Sequence, residues 1–592
     1  MKPNSPTLLL TCLLSLSACV NHEQSQISAQ TNLPTSIDVP VTTVNVPTAI
    51  SVPPAEYEIK TKRDRVSAQG ALLKDERANY APAMKMMEAG KAASIYPSTV
   101  APAPNYVQQQ DRERYGVIAE NPIKLVAEAP VSTFSIDVDT GSYSNVRRML
   151  NAGHLPPADS VRVEELINYF PYDYALPKGD APFAVHTEIA PTPWNPQHAL
   201  LRIGIKGQDI AKTSLPPANL VFLVDVSGSM GSADKLPLLK SSLALLVKQL
   251  RAQDHVSLVT YASGTRVVLE PTPGNHQARI LAALDELTAG GSTAGAAGIT
   301  LAYDMAQQGY IKGGINRIML ATDGDFNVGI TNFDALKGMA AEKRKGGVSL
   351  STLGFGTGNY NEQLMEQLAD AGNGNYSYID TLNEGQKVLV NEMTSTLATI
   401  AKDVKIQVEF NPDAVSEYRL IGYENRMLKR EDFNNDKVDA GEVGAGHTVT
   451  ALYELTLKGA PGSVDALRYG KDQSKATTKS DELAYLRLRY KAPDGEVSRL
   501  AQWPLYRQDI KSNITQTSSE FRFATAVAAF GQQLRGGTHT GAMDYAAIAQ
   551  LANEARGTDR YGYRGEFLRL LDLAQSLSTH TPVAMDSIPT AQ

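Results

Sequence analysis

The sequence predicts an α/β fold: a mostly parallel sheet with helices on both faces, flanked by strand-rich segments and followed by a helical C-terminal region. Two patterns and one turn predict it. Between residues 217 and 400, apolar runs such as "NLVFLVDV", "HVSLVTYA", "TRVVLEP", "RIMLATD" and "VSLSTLGFG" alternate with helical runs such as "KLPLLKSSLALLVKQLRA" and "QARILAALDELTA". Strands that read as unbroken apolar runs are buried on both sides, which a sheet achieves when crossover helices cover it. Outside that segment the strands alternate apolar and polar residues, the mark of antiparallel sheets. The turn is "NLVFLVDVSGSMGSADK", residues 219–235, where a buried strand ends in Asp225 and is followed at once by Ser227 and Ser229. Ligands of an open α/β sheet bind at that carboxyl edge.

Taken in order, residues 1–18 read as a lipoprotein signal peptide, with a single Lys, an apolar stretch too short to span a bilayer, and small residues before a cysteine. Leu16-Ser17-Ala18-Cys19 resembles a bacterial lipobox, in which Cys19 is lipidated and becomes the mature N-terminus. An ordinary signal peptide with an incidental cysteine is the alternative. Cys12 and Cys19 are the only cysteines, so the folded part has no disulfide framework. By analogy with bacterial lipoproteins, Val20 in place of an Asp points to the outer rather than the inner membrane of the cell envelope. Residues 19–114, rich in Thr, Ser, Pro, Gln and Ala, read as a disordered tether that cannot bury enough apolar surface to offset its ordering entropy.

Residues 115–216 form a strand-rich flanking domain with helical interludes at "SYSNVRRMLNAG" and "RVEELINYF", and residues 217–400 form the α/β domain. In its first helix Leu236, Leu239, Leu243, Leu246, Val247 and Leu250 share one face. Residues 401–592 are a strand-and-helix domain ending in three helical segments. Strands on both sides of the α/β domain suggest one discontinuous β domain, with residues 201–206 in the same sheet as, or packed on, residues 404–410. The charge balance, 56 Lys+Arg against 63 Asp+Glu, excludes a nucleic-acid binder, which needs a basic face.

A second apolar strand ends in Asp323, within "ATDG", and a Gly-rich loop between the two strand ends presents Ser292 and Thr293 before a helix. Carboxylates and hydroxyls at one sheet edge make an all-oxygen set suited to a hard divalent cation. A single DxSxS string is explained equally well as a helix N-cap; three motifs on adjacent strand ends are not.

The set DVSGSM, GGST and ATDG, in that order, resembles the metal-ion-dependent adhesion site of von Willebrand factor A domains, over roughly residues 217 to 400. The resemblance implies that Ser227, Ser229 and Thr293 hold Mg²⁺ (or Mn²⁺) through hydroxyls, with Asp225 and Asp323 acting directly or through water. It also implies that a partner protein supplies an Asp or Glu carboxylate to the ion. The whole chain resembles bacterial A-domain lipoproteins of poorly defined function. The expected function is therefore a non-catalytic, lipid-anchored binding module; the alternatives are a scaffold for assembling an envelope complex, or an envelope hydrolase with a C-terminal active site.

Other strings carry less. "DTGS" at residues 139–142 lacks the second carboxylate motif of an aspartic protease and reads as a capped turn. "GFGTGN" departs from a dinucleotide fingerprint at Asn359, and "DFNNDKVDAGE" departs from a calcium loop at Lys437, reading as a solvated turn with an accessory cation site as the alternative. No HExxH, GxSxG or Walker string occurs.

Overall fold

Every residue of strand β1 (Ala218–Asp225) is buried, because the strand has helices against both of its faces. Leu220, Phe222 and Val224 pack on one side with Leu236, Leu239, Leu243 and Leu246 of helix α1 (Leu236–Val247) and with Ile280 and Leu284 of α2 (Gln277–Asp285). Val221 and Leu223 point the other way, onto Ile299 and Tyr303 of α3 (Gly295–Gln308), Leu336 of α4 (Phe333–Lys343) and Leu368 of α5 (Glu362–Ala371). This two-sided packing is why the strand shows no polar alternation. The computed structural model describes residues 112–292, 295–324, 333–465 and 481–580.

With β2 (His255–Tyr261), β3 (Thr265–Pro273), β4 (Ile315–Thr322), β5 (Ser349–Phe355) and β6 (Tyr376–Ile379), β1 forms a 6-stranded sheet of order β6-β5-β4-β1-β2-β3. All neighbours are parallel except β2 and β3, a hairpin at one edge. Among the described residues no helix is long and apolar enough to cross a membrane.

Strands from before and after this sheet pair directly with one another. His198–Gly207 runs antiparallel to Thr448–Leu457, with Leu201 opposite Tyr453, while Val131–Ser135 pairs with Thr399–Phe410, with Phe134 opposite Ile406. The two sheets enclose one core, in which Leu201, Ile203 and Ile205 share contacts with Val404, Ile406, Val408 and Phe410. The helices Ser519–Leu534, Tyr545–Glu554 and Tyr563–His580 pack through Phe523, Phe530, Ile548 and Phe567 onto Tyr143, Leu166 and Phe170 from early in the chain.

Two local expectations are corrected. The tether was placed through residue 114, but Arg112 and Arg114 donate backbone bonds to Gly358 and Tyr360, each at 2.9 Å. Glu113 accounts for this: its carboxylate accepts from Gly358 N–H at 3.0 Å and from Arg148 at 2.7 Å, which ties down a segment with no apolar signal. The helix Gly141–Asn151 begins after Thr140 without a side-chain cap. Asp139 is drawn instead to Tyr376 N–H at 2.9 Å, and Glu165 from the next helix accepts from Ser142 N–H at 2.8 Å.

Around Arg162, four buried carboxyls converge: Glu164, Glu165, Glu362 and Glu366. Arg162 reaches Glu366 at 2.9 Å, Glu165 at 3.4 Å and Glu362 at 3.6 Å, the last an ion pair only, since neither oxygen of Glu362 has a hydrogen-bond partner. Burial pushes Glu362 and Glu164 up to about 8. A carboxyl whose folded pKa is raised holds its proton more tightly folded than unfolded, so its stabilising contribution is complete below its unfolded pKa of ~4.3. That contribution is lost as pH rises through the folded pKa. Urea midpoints should therefore fall from about pH 5 to about pH 9, and Glu362→Gln should flatten the decline. An identical pH slope in the variant would refute this assignment.

Candidate metal centre

The site is built at the carboxyl edge of the central sheet. Because β1 and β4 are parallel neighbours with Val224 opposite Ala321, their last residues bring Asp225 beside Thr322 and Asp323. Asp225 and Asp323 are fully buried, at 0% exposure, so neither charge is relieved by water. Asp225 accepts from Ser227 N–H at 2.8 Å through one oxygen and from the Thr322 hydroxyl at 2.9 Å through the other. Burial, reinforced by the charge of Asp323, pushes the Asp225 carboxyl up to about 6 despite these bonds. A pair of adjacent buried carboxylates is costly unless a cation compensates it.

Ser227 and Ser229 lie with their hydroxyl oxygens 3.0 Å apart, on a single short turn at Gly228–Gly231. Neither hydroxyl caps α1, which begins only at Leu236. The loop from the Gly-rich motif is stitched to this turn by backbone bonds, Gly228 N–H to Gly291 O at 3.0 Å and Gly290 N–H to Val226 O at 2.7 Å. Ser292 N–H donates to Ser263 Oγ at 3.0 Å. Thr293 lies outside the described residues, as does Cys19. After Asp323 the chain turns sharply at Gly324, whose φ is +84 and where a Cβ would meet the Asn361 nitrogen at 2.6 Å. A side chain there would displace the carboxylate's loop.

Three participants escaped sequence reasoning. Thr322 tethers Asp225, and its hydroxyl also accepts from Gly324 N–H at 3.1 Å. Lys235 donates to Asp323 Oδ2 at 2.9 Å, and Asn359 Nδ2 donates to the same oxygen at 3.2 Å. The hydroxyl type of Thr322, next to Asp323 in the motif, was a usable signal. Lys235 carried no signal beyond opening the run "KLPLLKSSLALLVKQLRA", and Asn359 read only as a break in a glycine pattern.

The described residues thus offer two carboxylates and two neutral hydroxyls, with no thiolate or imidazole, a donor set that fits a hard divalent cation. Elsewhere, a cavity of about 230 Å³ is lined by His198, Glu417, Arg419 and Glu454. Its carboxylates are engaged in structure: Glu417 accepts from Ser463 and Val464 N–H groups, and Glu454 pairs with His198 at 2.7 Å and Arg419 at 2.9 Å. The turn around Asp436 is likewise pinned, by Arg489 at 2.9 Å and by Ser498.

Comparison with known proteins covers most of the chain. Three family models match in order: "von Willebrand factor" over residues 109–202, "von Willebrand factor type A domain" over residues 219–392, and "Uncharacterized protein YfbK, C-terminal" over residues 395–577. "Uncharacterized protein YfbK" of Escherichia coli (strain K12) is 49% identical over 532 residues, 88% of each chain. "Uncharacterized protein sll0103" of Synechocystis is 29% identical over 184 residues, 31% of this chain and 43% of that one. The solved von Willebrand factor type A structure from Catenulispora acidiphila is 15% identical, covers 65% of this chain and 89% of that chain, and superposes with a TM-score of 0.36. Similarity that runs through the flanks as well as the central sheet carries more than a shared domain would: the chain belongs to the YfbK family of bacterial proteins, built around a von Willebrand factor type A domain.

Proposed function

We infer that this protein is a non-catalytic lipoprotein of the bacterial cell envelope, favouring the outer membrane, that binds a partner protein through a Mg²⁺-bridged carboxylate. The observation that carries the reading is the union of Asp225, Ser227, Ser229 and Asp323 at one sheet edge, the two carboxylates buried and Ser229 exposed. Those side chains, with Thr293, would hold the ion, and Cys19 would carry the lipid anchor. Bound there, the ion supplies a Lewis-acidic position open to an Asp or Glu of the partner. Hydroxyl ligands are neutral, so the ion is only partly compensated by this chain. Residues 19–111 separate the anchor from the first described residue.

The experiment is crosslinking in intact cells, with and without a chelator, in the wild type and in Asp323→Ala. A crosslinked partner should appear in the wild type and disappear under either treatment. A partner captured equally in all conditions would sink the reading. Co-purification of a stable stoichiometric complex that survives chelation would favour a scaffold.

A further inference from the structure

Lys235 stands ahead of α1 with its side chain only 7% exposed, and the chain is shaped to keep it there. Its Nζ donates to Asp323 Oδ2 at 2.9 Å and to Asn359 Oδ1 at 3.1 Å. Its backbone N–H closes the preceding turn on Ser232 O at 3.1 Å. Gly356, at φ +76, lies against the Lys235 methylenes, and a Cβ there would overlap them. The left-handed backbone at that position, which disfavours any other residue, is thus coupled to the path of the lysine.

A buried ammonium aimed at a candidate metal ligand has a direct electrostatic consequence. The two carboxylates give the site two negative charges, and Lys235 returns one positive charge to it. Lys235 therefore competes with any divalent cation for Asp323, and at the low effective dielectric of a buried site that repulsion is large. With a cation bound, the same ammonium leaves the site with a net positive charge, which one incoming carboxylate neutralises. We propose that Lys235 is a positioning residue acting through Asp323: it weakens cation binding by this chain alone and makes the loaded site select an anionic ligand. This rests on the metal-dependent reading above and goes beyond it by assigning charge selectivity to a residue outside the ligand set.

The test uses the full mature chain, Mn²⁺ as probe, and acetate as the stand-in for a partner carboxylate. Free Mn²⁺ is followed by electron paramagnetic resonance, and displacement of water from bound Mn²⁺ by water-proton relaxation. Lys235→Met should bind Mn²⁺ about tenfold tighter or more than the wild type, and require severalfold more acetate to lower the relaxivity. Lys235→Arg, which retains the charge, should stay close to the wild type in both. Lys235→Gln, which keeps a hydrogen-bond donor to Asp323, provides the same comparison if the methionine variant folds poorly. Equal or weaker Mn²⁺ binding by a folded neutral variant overturns the role of Lys235 while leaving the metal site standing. Absence of Mn²⁺ uptake by every protein, wild type included, overturns the metal reading and this inference with it.

Discussion

Asp225→Asn should abolish the response of this protein to divalent cations. In the wild type, Mg²⁺ or Mn²⁺ at ~100 times its dissociation constant should stabilise the fold by about 2.7 kcal/mol, because a ligand that binds only the native state shifts unfolding by mass action. The variant should lose cation affinity by ~100-fold or more, beyond the 10–100-fold typical of changes to groups that only orient a ligand, since a carboxylate of the cluster is removed. Without the cation, the sign of the comparison should reverse. Asp225 is fully buried, and its carboxyl is raised to about 6 by burial and by its neighbour Asp323. A neutral amide of the same shape removes that repulsion and can still accept from Ser227 N–H or from the Thr322 hydroxyl. Chelated Asp225→Asn should therefore melt no lower than chelated wild type. Thermal melts with and without Mg²⁺ check both halves; a variant stabilised by Mg²⁺ as much as the wild type would remove Asp225 from the ligand set.

Arg147→Ala should be strongly destabilising, costing about 3–5 kcal/mol. Arg147 lies on the helix Gly141–Asn151, with a side chain 4% exposed. It bonds Asp380, Glu384 at 2.8 Å, Glu566 at 3.0 Å and the Tyr169 hydroxyl at 2.8 Å. One guanidinium thus joins an early helix, the segment following β6 and the last helix of the described residues. Removing it leaves buried Glu384, and the Asp380 carboxylate with its side chain 4% exposed, without their main counter-charge, and loses the contact of the guanidinium 5.7 Å from the Tyr169 ring centre. Arg147→Lys should recover only part of the loss, because a point charge cannot reproduce a fork that serves several acceptors. Urea denaturation monitored by near-ultraviolet circular dichroism measures it; a loss under ~1 kcal/mol, the scale of an exposed pair, would mean that the network contributes little.

Particular residues show how far the sequence could be read. Asp225 was visible because it ends an unbroken apolar run and Asp323 because it follows one after Thr322, and a buried strand leaves its terminal side chains at the sheet edge. The same runs made the α/β class legible, and Leu236, Leu239, Leu243 and Leu246 identified the face of α1 that the core would take. Thr140 was misleading: its place before a helix suggested a cap, yet Glu165 from another helix accepts the Ser142 N–H instead. Arg112 was misleading in the same way, since its segment is held by a carboxylate and backbone bonds and carries no apolar period.

Residue order by itself determined the local events: where strands end in carboxylates, which helix face is apolar, and where hydroxyls follow a turn. These depend on hydrophobic periodicity and turn chemistry within a few residues of one another. The core shared by Leu201 and Ile406 was legible too, from strands that alternate on both sides of the α/β segment. Tertiary structure alone decided that Lys235 shares Asp323 with Asn359 and that Arg147 ties its own helix to Asp380, Glu384 and Glu566. Ion pairs and sheet partners are chosen by three-dimensional proximity and by the cost of burying an unpaired charge, and that cost is not written in the spacing of the residues that meet it.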